Sequence, residues 1–136
     1  METKLDKLIK LAQKVAKKGE IPVSCMIVDK NNKILSVAVN NRQKKKNVLG
    51  HAEVNAILKA EKKVKDWRLD GYKMIITLKP CEMCQKIIEE SRIDCVYYLL
   101  NQPKKNNLVQ NLVKIDSKIH EKKYEEILCS FFKNKR

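Results

Sequence analysis

Two short runs of this chain hold the side chains that could do chemistry. They are His51-Ala52-Glu53 and, further along, Pro80-Cys81-Glu82-Met83-Cys84. One imidazole and two thiolates supply three of the four ligands of tetrahedral Zn²⁺, and a site with only three protein ligands leaves the fourth position for water. A carboxylate beside such a site can carry the proton of the activated water, and Glu53 is placed for that role. The sequence therefore predicts one catalytic Zn²⁺ per chain, held by His51, Cys81 and Cys84.

Each part of this pattern has an ordinary explanation when it stands alone. A Cys-x-x-Cys pair in a reducing compartment can be a redox pair or half of a structural zinc site. A lone His51 at the start of a helix is more often a polar end group than a ligand. Glu53 alone is more often a solvated acid that favours the dipole of a first turn. The complete pattern, with a helix and a strand between its two halves, favours the metal site.

The elements around the two runs can bring them together. Residues 51–65 have apolar side chains at near-helical spacing, Val54, Ile57, Leu58 and Val64, after a possible helix start at Gly50. Residues 73–78 read as a strand, and Pro80 precedes a second helical pattern over residues 81–91. A helix that joins neighbouring strands would place both helix N-termini beside the ion, where their positive dipole ends favour thiolates.

The rest of the chain predicts one α/β domain over residues 1–136. We expect a three-layer helix-sheet-helix architecture around a mixed central sheet of about five strands. The further elements are an opening helix that stops at Gly19, a hairpin of residues 21–29 and 33–40, a strand at 94–100, a polar loop at 103–107, a short strand at 112–115, and a closing helix with Tyr124, Ile127, Leu128, Phe131 and Phe132. Three further cysteines read as small core residues, Cys25, Cys95 and Cys129.

A net charge of +14 is compatible with a nucleic-acid partner, because Lys and Arg neutralise phosphates. The charges of interest are Lys44, Lys45 and Lys46, in the predicted loop before His51, and a tail of Lys133, Lys135 and Arg136. A solvated basic face is an equally good explanation of both groups. No apolar run approaches the roughly 20 residues of a membrane span, so we expect a cytoplasmic protein with no membrane partner.

Several local runs extend the pattern across nearly the whole chain. They are Gly19-Glu20-Ile21-Pro22-Val23, Asn40 eleven residues before His51, Thr77-Leu78 before Pro80, Ser91-Arg92-Ile93, and Phe131-Phe132 with its trailing basic residues. On these residues the sequence resembles the tRNA-specific adenosine deaminases of the TadA type, within the cytidine/deoxycytidylate deaminase superfamily.

That resemblance implies a cytidine-deaminase-like fold, a homodimer, and deamination of adenosine to inosine at the wobble position of a tRNA anticodon stem-loop. Glu53 would move protons from water to the base and to the departing amine, while Asn40 and the Ala52 backbone N–H would hold the base. Departures from the family pattern lie at Ser24, at Lys79 and in Asn47-Val48-Leu49-Gly50.

Two alternatives stay open at this point. Asn55 is more similar to deoxycytidylate deaminases, and a deaminase of free cytidine nucleotides would use the same zinc site. A non-catalytic, zinc-bearing RNA-binding subunit is the third reading, although retention of Glu53 argues against it. For Asn40, the competing interpretation is a turn residue that ends a strand.

Overall fold

The computed structural model describes residues 1–102 and 111–134. The predicted loop at 103–107 and the basic residues Lys135 and Arg136 lie outside these ranges. In chain order the elements are α1 (Glu2–Lys17), β1 (Ser24–Val28), β2 (Ile34–Val39), α2 (Arg42–Lys45), α3 (Ala52–Val64), β3 (Lys73–Leu78), α4 (Glu82–Glu90), β4 (Cys95–Leu100), β5 (Leu112–Lys114) and α5 (Lys118–Asn134).

The strands form one mixed sheet in the order β2-β1-β3-β4-β5. The first two strands form an antiparallel hairpin, and β1 is also antiparallel to β3. From β3 onward the neighbours are parallel, β3 with β4 and β4 with β5, and α4 makes the crossover between β3 and β4. The predicted mixed sheet of five strands is confirmed. Helix α4 follows β3 directly, so its N-terminus lies at the end of the sheet where β3 ends.

Helices cover both faces of the sheet, so β1 is buried along its whole length. Cys25 and Ile27 face one core cluster, which contains the apolar side of α3 and Ile88 of α4. Met26 and Val28 alternate to the other face, where they join a second cluster formed largely with α1 and α5. This is the three-layer helix-sheet-helix architecture that the alternation of elements predicts.

The outer helices α1 and α5 pack beside each other on one face. The apolar spacing of α1 predicts a buried stripe of Leu5, Leu8, Ile9, Ala12, Val15 and Ala16, and all of these except Ala16 are buried. On α5, Tyr124 is fully buried and its hydroxyl donates to the Pro22 carbonyl at 2.7 Å. Within the Phe131-Phe132 pair only Phe131 is buried, because adjacent helix positions point in different directions; Phe132 is half exposed.

Three sequence predictions need correction. The segment before His51 is not purely a loop: Arg42–Lys45 form the short helix α2, which ends at Lys46 in the left-handed conformation. Leu58, predicted in the apolar stripe of α3, is exposed, since the face of α3 that packs on the sheet carries Ala56, Ile57 and Ala60. Of the three cysteines predicted in the core, Cys25 is buried but Cys95 is only partly buried and Cys129 is exposed on α5.

The outer edge of β2 is covered by side chains from α3. Three donors spaced four residues apart on one helix face meet three carbonyls spaced two apart on the strand. The pairs are Asn55 Nδ2 to the Val39 carbonyl at 2.9 Å, Lys59 Nζ to Val37 at 3.0 Å, and Lys63 Nζ to Leu35 at 3.1 Å. We call these three side chains the α3 edge donors. They give hydrogen-bond partners to carbonyls that have no neighbouring strand.

None of the helices in the described ranges is long and apolar enough to cross a membrane.

Candidate active site

The two sequence runs meet because each supplies the residue just before a helix. His51 is the N-cap of α3 and Cys81 is the N-cap of α4, and both have extended backbone conformations. Helix α3 therefore begins one residue later than the predicted start. Pro80 separates Cys81 from the end of β3, and its ring disfavours helical backbone at the residue before it. Two helix N-termini thus face one point, as the sequence predicted.

The three predicted ligands converge. His51 Nδ1 lies 3.4 Å from Cys84 Sγ and 3.8 Å from Cys81 Sγ, and all three atoms are within 4.8 Å of one another. Tetrahedral zinc with Zn–S near 2.3 Å and Zn–N near 2.0 Å requires N to S separations of about 3.5 Å and an S to S separation of about 3.8 Å. The nitrogen and sulfur donors therefore fit Zn²⁺ in number, chemistry and spacing, with one coordination position left open.

Local hydrogen bonds shift the pKa values of the two thiols in opposite directions. Cys84 donates its S–H to Cys81, and this bond, together with the Cys84 backbone N–H and the nearby His51, lowers the pKa of Cys81 to about 5. The same bond holds the proton on Cys84 and raises its pKa, with burial adding to the effect. One thiolate is therefore available near neutral pH before any metal arrives, and zinc would displace the remaining proton.

Glu53 is the acid of the site. It lies in the first turn of α3 and is 5% exposed. Burial raises its pKa to about 7, while its own backbone N–H and its contact with the Cys84 side chain act in the opposite direction. A buried carboxyl group with a pKa near neutral pH can both accept and release a proton, which is the property of a general acid-base group.

Asn40 and Ala52, the predicted base-contacting residues, border the same region. Asn40 directly follows β2 and is buried; its Oδ1 accepts from the Arg42 backbone N–H at 3.0 Å. Among the described residues no hydrogen bond uses its Nδ2, so the amide has a fixed direction with a donor left for a ligand. Ala52 is fully buried as the first residue of α3, and the N–H of a first-turn residue has no partner within its own helix.

Glu20 is a further site residue, which no pattern in the sequence marks as functional. Its carboxylate is buried and accepts from the backbone N–H groups of Gln43 at 3.0 Å and Lys44 at 2.7 Å. This negative charge holds the N-terminus of α2 next to Asn40. It lies inside the family-like run of residues 19–23, but nothing in the sequence marks its partners, which lie 23 and 24 residues away.

The predicted RNA-binding lysines lie on elements that border a surface cleft, but they do not line it. Lys44, Lys45 and Lys46 are exposed on and after α2, and Lys133 is exposed near the end of α5. The two elements meet at a cleft of about 460 Å³ whose lining includes Glu20, Asn40, Arg42, Gln43 and Phe131. Lys79, one of the departures from the family pattern, is buried just after β3, with its Nζ 5.9 Å from the centre of the Tyr98 ring.

Comparison with known proteins gives the class first. A family model described as the cytidine and deoxycytidylate deaminase zinc-binding region matches residues 2–100 of the chain. The matched segment spans well over half of the sequence and contains His51, Cys81 and Cys84 together with Glu53. The protein is therefore a zinc-dependent deaminase.

Individual relatives narrow the class. The tRNA-specific adenosine deaminase of Rickettsia bellii is 37% identical over 111 residues, which are 81% of this chain and 77% of the relative. That of Aquifex aeolicus is 33% identical over 135 residues, 92% and 89% of the two chains. A structure solved in studies of A-to-I editing by tRNA:A34 deaminases has a TM-score of 0.81 at 23% identity and covers 93% of this chain and 99% of that one, a likeness of fold. The chain belongs to the family of tRNA-specific adenosine deaminases.

Proposed function

We propose that this protein deaminates adenosine to inosine at the wobble position of tRNA, as a single deaminase domain spanning residues 1–136. One observation carries the proposal. The buried Glu53 lies beside His51, Cys81 and Cys84, a donor set that fits zinc and leaves one coordination position open. Relatives that are 32 to 37% identical to this chain are tRNA-specific adenosine deaminases, which supports adenosine in tRNA as the substrate. A tRNA substrate also fits a cytoplasmic location.

The catalytic steps belong mainly to Glu53. Zinc held by the three ligands supplies the Lewis-acid activation of the attacking water. Glu53 takes a proton from that water as oxygen adds to C6 of the base, and protonates the adjacent ring nitrogen. Glu53 then takes the remaining proton from the C6 hydroxyl and delivers it to the amine, which leaves as ammonia while the C6 carbonyl of inosine forms. A pKa raised to about 7 by burial suits both the uptake and the release.

Two neighbouring groups hold the base for this reaction. Asn40 presents its Nδ2 donor, because its Oδ1 is already used by the Arg42 N–H. The Ala52 N–H points from the start of α3, where a partial positive charge favours an electronegative atom of the base. The anticodon loop is single-stranded, so its bases can be splayed out into such a pocket.

The basic residues are assigned to the RNA backbone. The exposed Lys44, Lys45 and Lys46 and the tail residues Lys133, Lys135 and Arg136 would neutralise phosphates of the anticodon stem-loop. We further propose a homodimer, following the family resemblance. The charge of +14 makes the electrostatic part of this binding strongly dependent on salt.

A second candidate is deamination of free deoxycytidylate, which Asn55 favours and which would use the same metal site. The two candidates are separated by one assay on purified, zinc-loaded protein. It is incubated with a stem-loop carrying adenosine at the wobble position and, separately, with deoxycytidylate, and the products are identified by mass spectrometry. We expect inosine in the stem-loop and no deoxyuridylate. Preferential conversion of deoxycytidylate would replace the proposal, and no product from either would favour a non-catalytic RNA-binding subunit.

A further inference from the structure

Asn55 lies one turn after His51, and its side chain ties α3 to the end of β2. Its backbone N–H donates to the His51 carbonyl at 3.0 Å, so the turn that begins at the metal ligand also fixes Asn55. Its Nδ2 donates to the Val39 carbonyl and to Asn41 Oδ1, both at 2.9 Å. The acceptors belong to the residues immediately before and after Asn40. One amide group therefore holds both chain neighbours of the predicted base-contacting residue.

Asn41 is held from a second direction as well. Its backbone N–H donates to the Gly50 carbonyl at 2.9 Å, and Gly50 is the residue before His51. A backbone hydrogen bond thus joins the two ends of the segment from Asn41 to Gly50. The side chain of Asn55 adds a second bond to Asn41 from α3. These bonds connect the backbone around Asn40 to Gly50, which precedes His51, and to Asn55, which follows it.

Asn55 differs from the other two α3 edge donors. Lys59 and Lys63 are exposed, carry a charge, and meet β2 carbonyls progressively further from Asn40. Asn55 is partly buried and neutral, and it donates both of its amide protons to the chain neighbours of Asn40. Covering the edge of β2 requires only one bond per residue, so the second bond, to Asn41, needs another explanation.

We propose that Asn55 is a positioning residue that sets the place of the Asn40 amide relative to Glu53. Since the Arg42 N–H fixes Asn40 Oδ1, the direction of the free Nδ2 donor follows the backbone that Asn55 holds. The role rests on the proposed function, because the direction of this donor matters for turnover only if it meets the substrate base.

The kinetic test is Asn55→Leu, which keeps similar size and removes both hydrogen bonds. We expect KM for the stem-loop to rise about tenfold, as for one lost directed interaction, while kcat changes less than about threefold. Zinc content should not change. The matched control is Asn111→Leu, which removes a 2.7 Å bond to the Asp94 carbonyl at the opposite end of the sheet and should leave KM unchanged. An unchanged KM in the Asn55 variant, or an equal rise in the control, would overturn the role.

Hydrogen exchange tests the same role without substrate. The Asn41 and Arg42 amides, bonded to the Gly50 carbonyl and to Asn40 Oδ1, should exchange faster in the Asn55 variant while α1 amides keep their rates. Unchanged rates, or a uniform increase along the chain, would reduce Asn55 to an ordinary structural residue and contradict the proposal.

Two outcomes are kept apart by this design. If the wild-type protein does not deaminate the stem-loop, the proposed function fails, whereas the exchange rates still decide whether Asn55 holds the backbone around Asn40. If Asn55→Leu does not fold, Asn41→Ala removes one of the two hydrogen bonds, the one from Asn55 Nδ2 to Asn41 Oδ1, by deleting its acceptor. It should produce the same rise in KM, and an unchanged KM would overturn the positioning role.

Discussion

At the scale of single residues, the site depends on where a carboxylate and two thiols are placed. Glu53 and Glu61 lie on the same helix, yet burial raises the pKa of Glu53 to about 7, whereas Glu61 is only partly buried and its pKa shift is smaller. The difference arises because Glu53 is in the first turn, against the sheet and Cys84. The same residue type is therefore a proton carrier at one position and a surface group two turns later.

Glu53→Gln should abolish turnover while leaving zinc content and the unfolding midpoint close to those of the wild type. The amide keeps the size of the side chain but cannot shuttle protons, so a loss of about 10²–10⁴-fold in kcat is expected from general acid-base catalysis alone. Single-turnover kinetics and elemental analysis make the measurement. Glu61→Gln is the matched control and should retain activity. Near-normal turnover of the Glu53 variant would exclude the proton-carrying role.

Cys84→Ala should lower bound zinc well below one ion per chain, because a site with two protein ligands holds the ion far more weakly than one with three. Elemental analysis of protein dialysed against a mild chelator measures the loss. Cys129→Ala, which removes an exposed thiol on α5, should leave the zinc content unchanged. Full zinc occupancy in the Cys84 variant would remove this residue from the ligand set.

At the scale of elements, the site is assembled by a tight contact between the start of α3 and the start of α2. A Cβ atom at Gly50 would lie 2.7 Å from both the N and the Cα of Arg42, and 2.8 Å from Asn41 Oδ1. Only glycine allows the two backbones to approach this closely. The contact sets how near the Asn40 turn comes to His51.

Gly50→Ala should destabilise the protein by about 1–3 kcal/mol, since the backbone of Arg42 must move to admit the methyl group. Urea unfolding of the variant and the wild type measures the difference. Leu49→Ala at the neighbouring exposed position should change stability by less than about 0.5 kcal/mol. A Gly50 variant as stable as the wild type would mean that α2 can shift without cost.

Elements and ligands with local signals could be predicted from the sequence. The buried stripe of α1, the hairpin, and the ligand set His51, Cys81 and Cys84 all follow from spacing and from residues next to one another in the chain. Helix α2 could not be predicted, because four residues with no apolar face carry no periodic signal and the helix depends on the distant Glu20. Leu58 was wrongly predicted to be buried. The helical period identifies an apolar stripe, but it does not determine which edge of that stripe packs against the sheet.

At the scale of the whole molecule, charge is the dominant property. Thirty basic residues against sixteen acidic ones give +14, and the lysines are spread over every helix as well as the cleft. Total charge therefore predicts attraction to RNA in general, whereas position predicts which lysines meet the substrate near the site.

Replacing Lys44, Lys45 and Lys46 with Gln should raise KM for the stem-loop and flatten the dependence of log Kd on log salt by about two units, from roughly 0.7 per phosphate contact on single strands. Binding titrations over a range of salt concentrations measure the slope. The control replaces three lysines exposed at the hairpin turn and on the far half of α3, Lys30, Lys33 and Lys62, with the same change of charge. Equal slopes in the two variants would mean that only net charge matters.

The α3 edge donors also bear on how copies of this protein behave at high concentration. An uncovered strand at a sheet edge is a template on which another chain can add a strand and begin a fibril. On β2 the carbonyls of Leu35, Val37 and Val39 already have partners, two of them lysine ammonium groups whose charge repels a second copy. At the other edge β5 is only three residues long, too short to guide such growth. The α3 edge donors therefore have two effects. Asn55 fixes the backbone near the site, and all three side chains disfavour the addition of a further strand to β2.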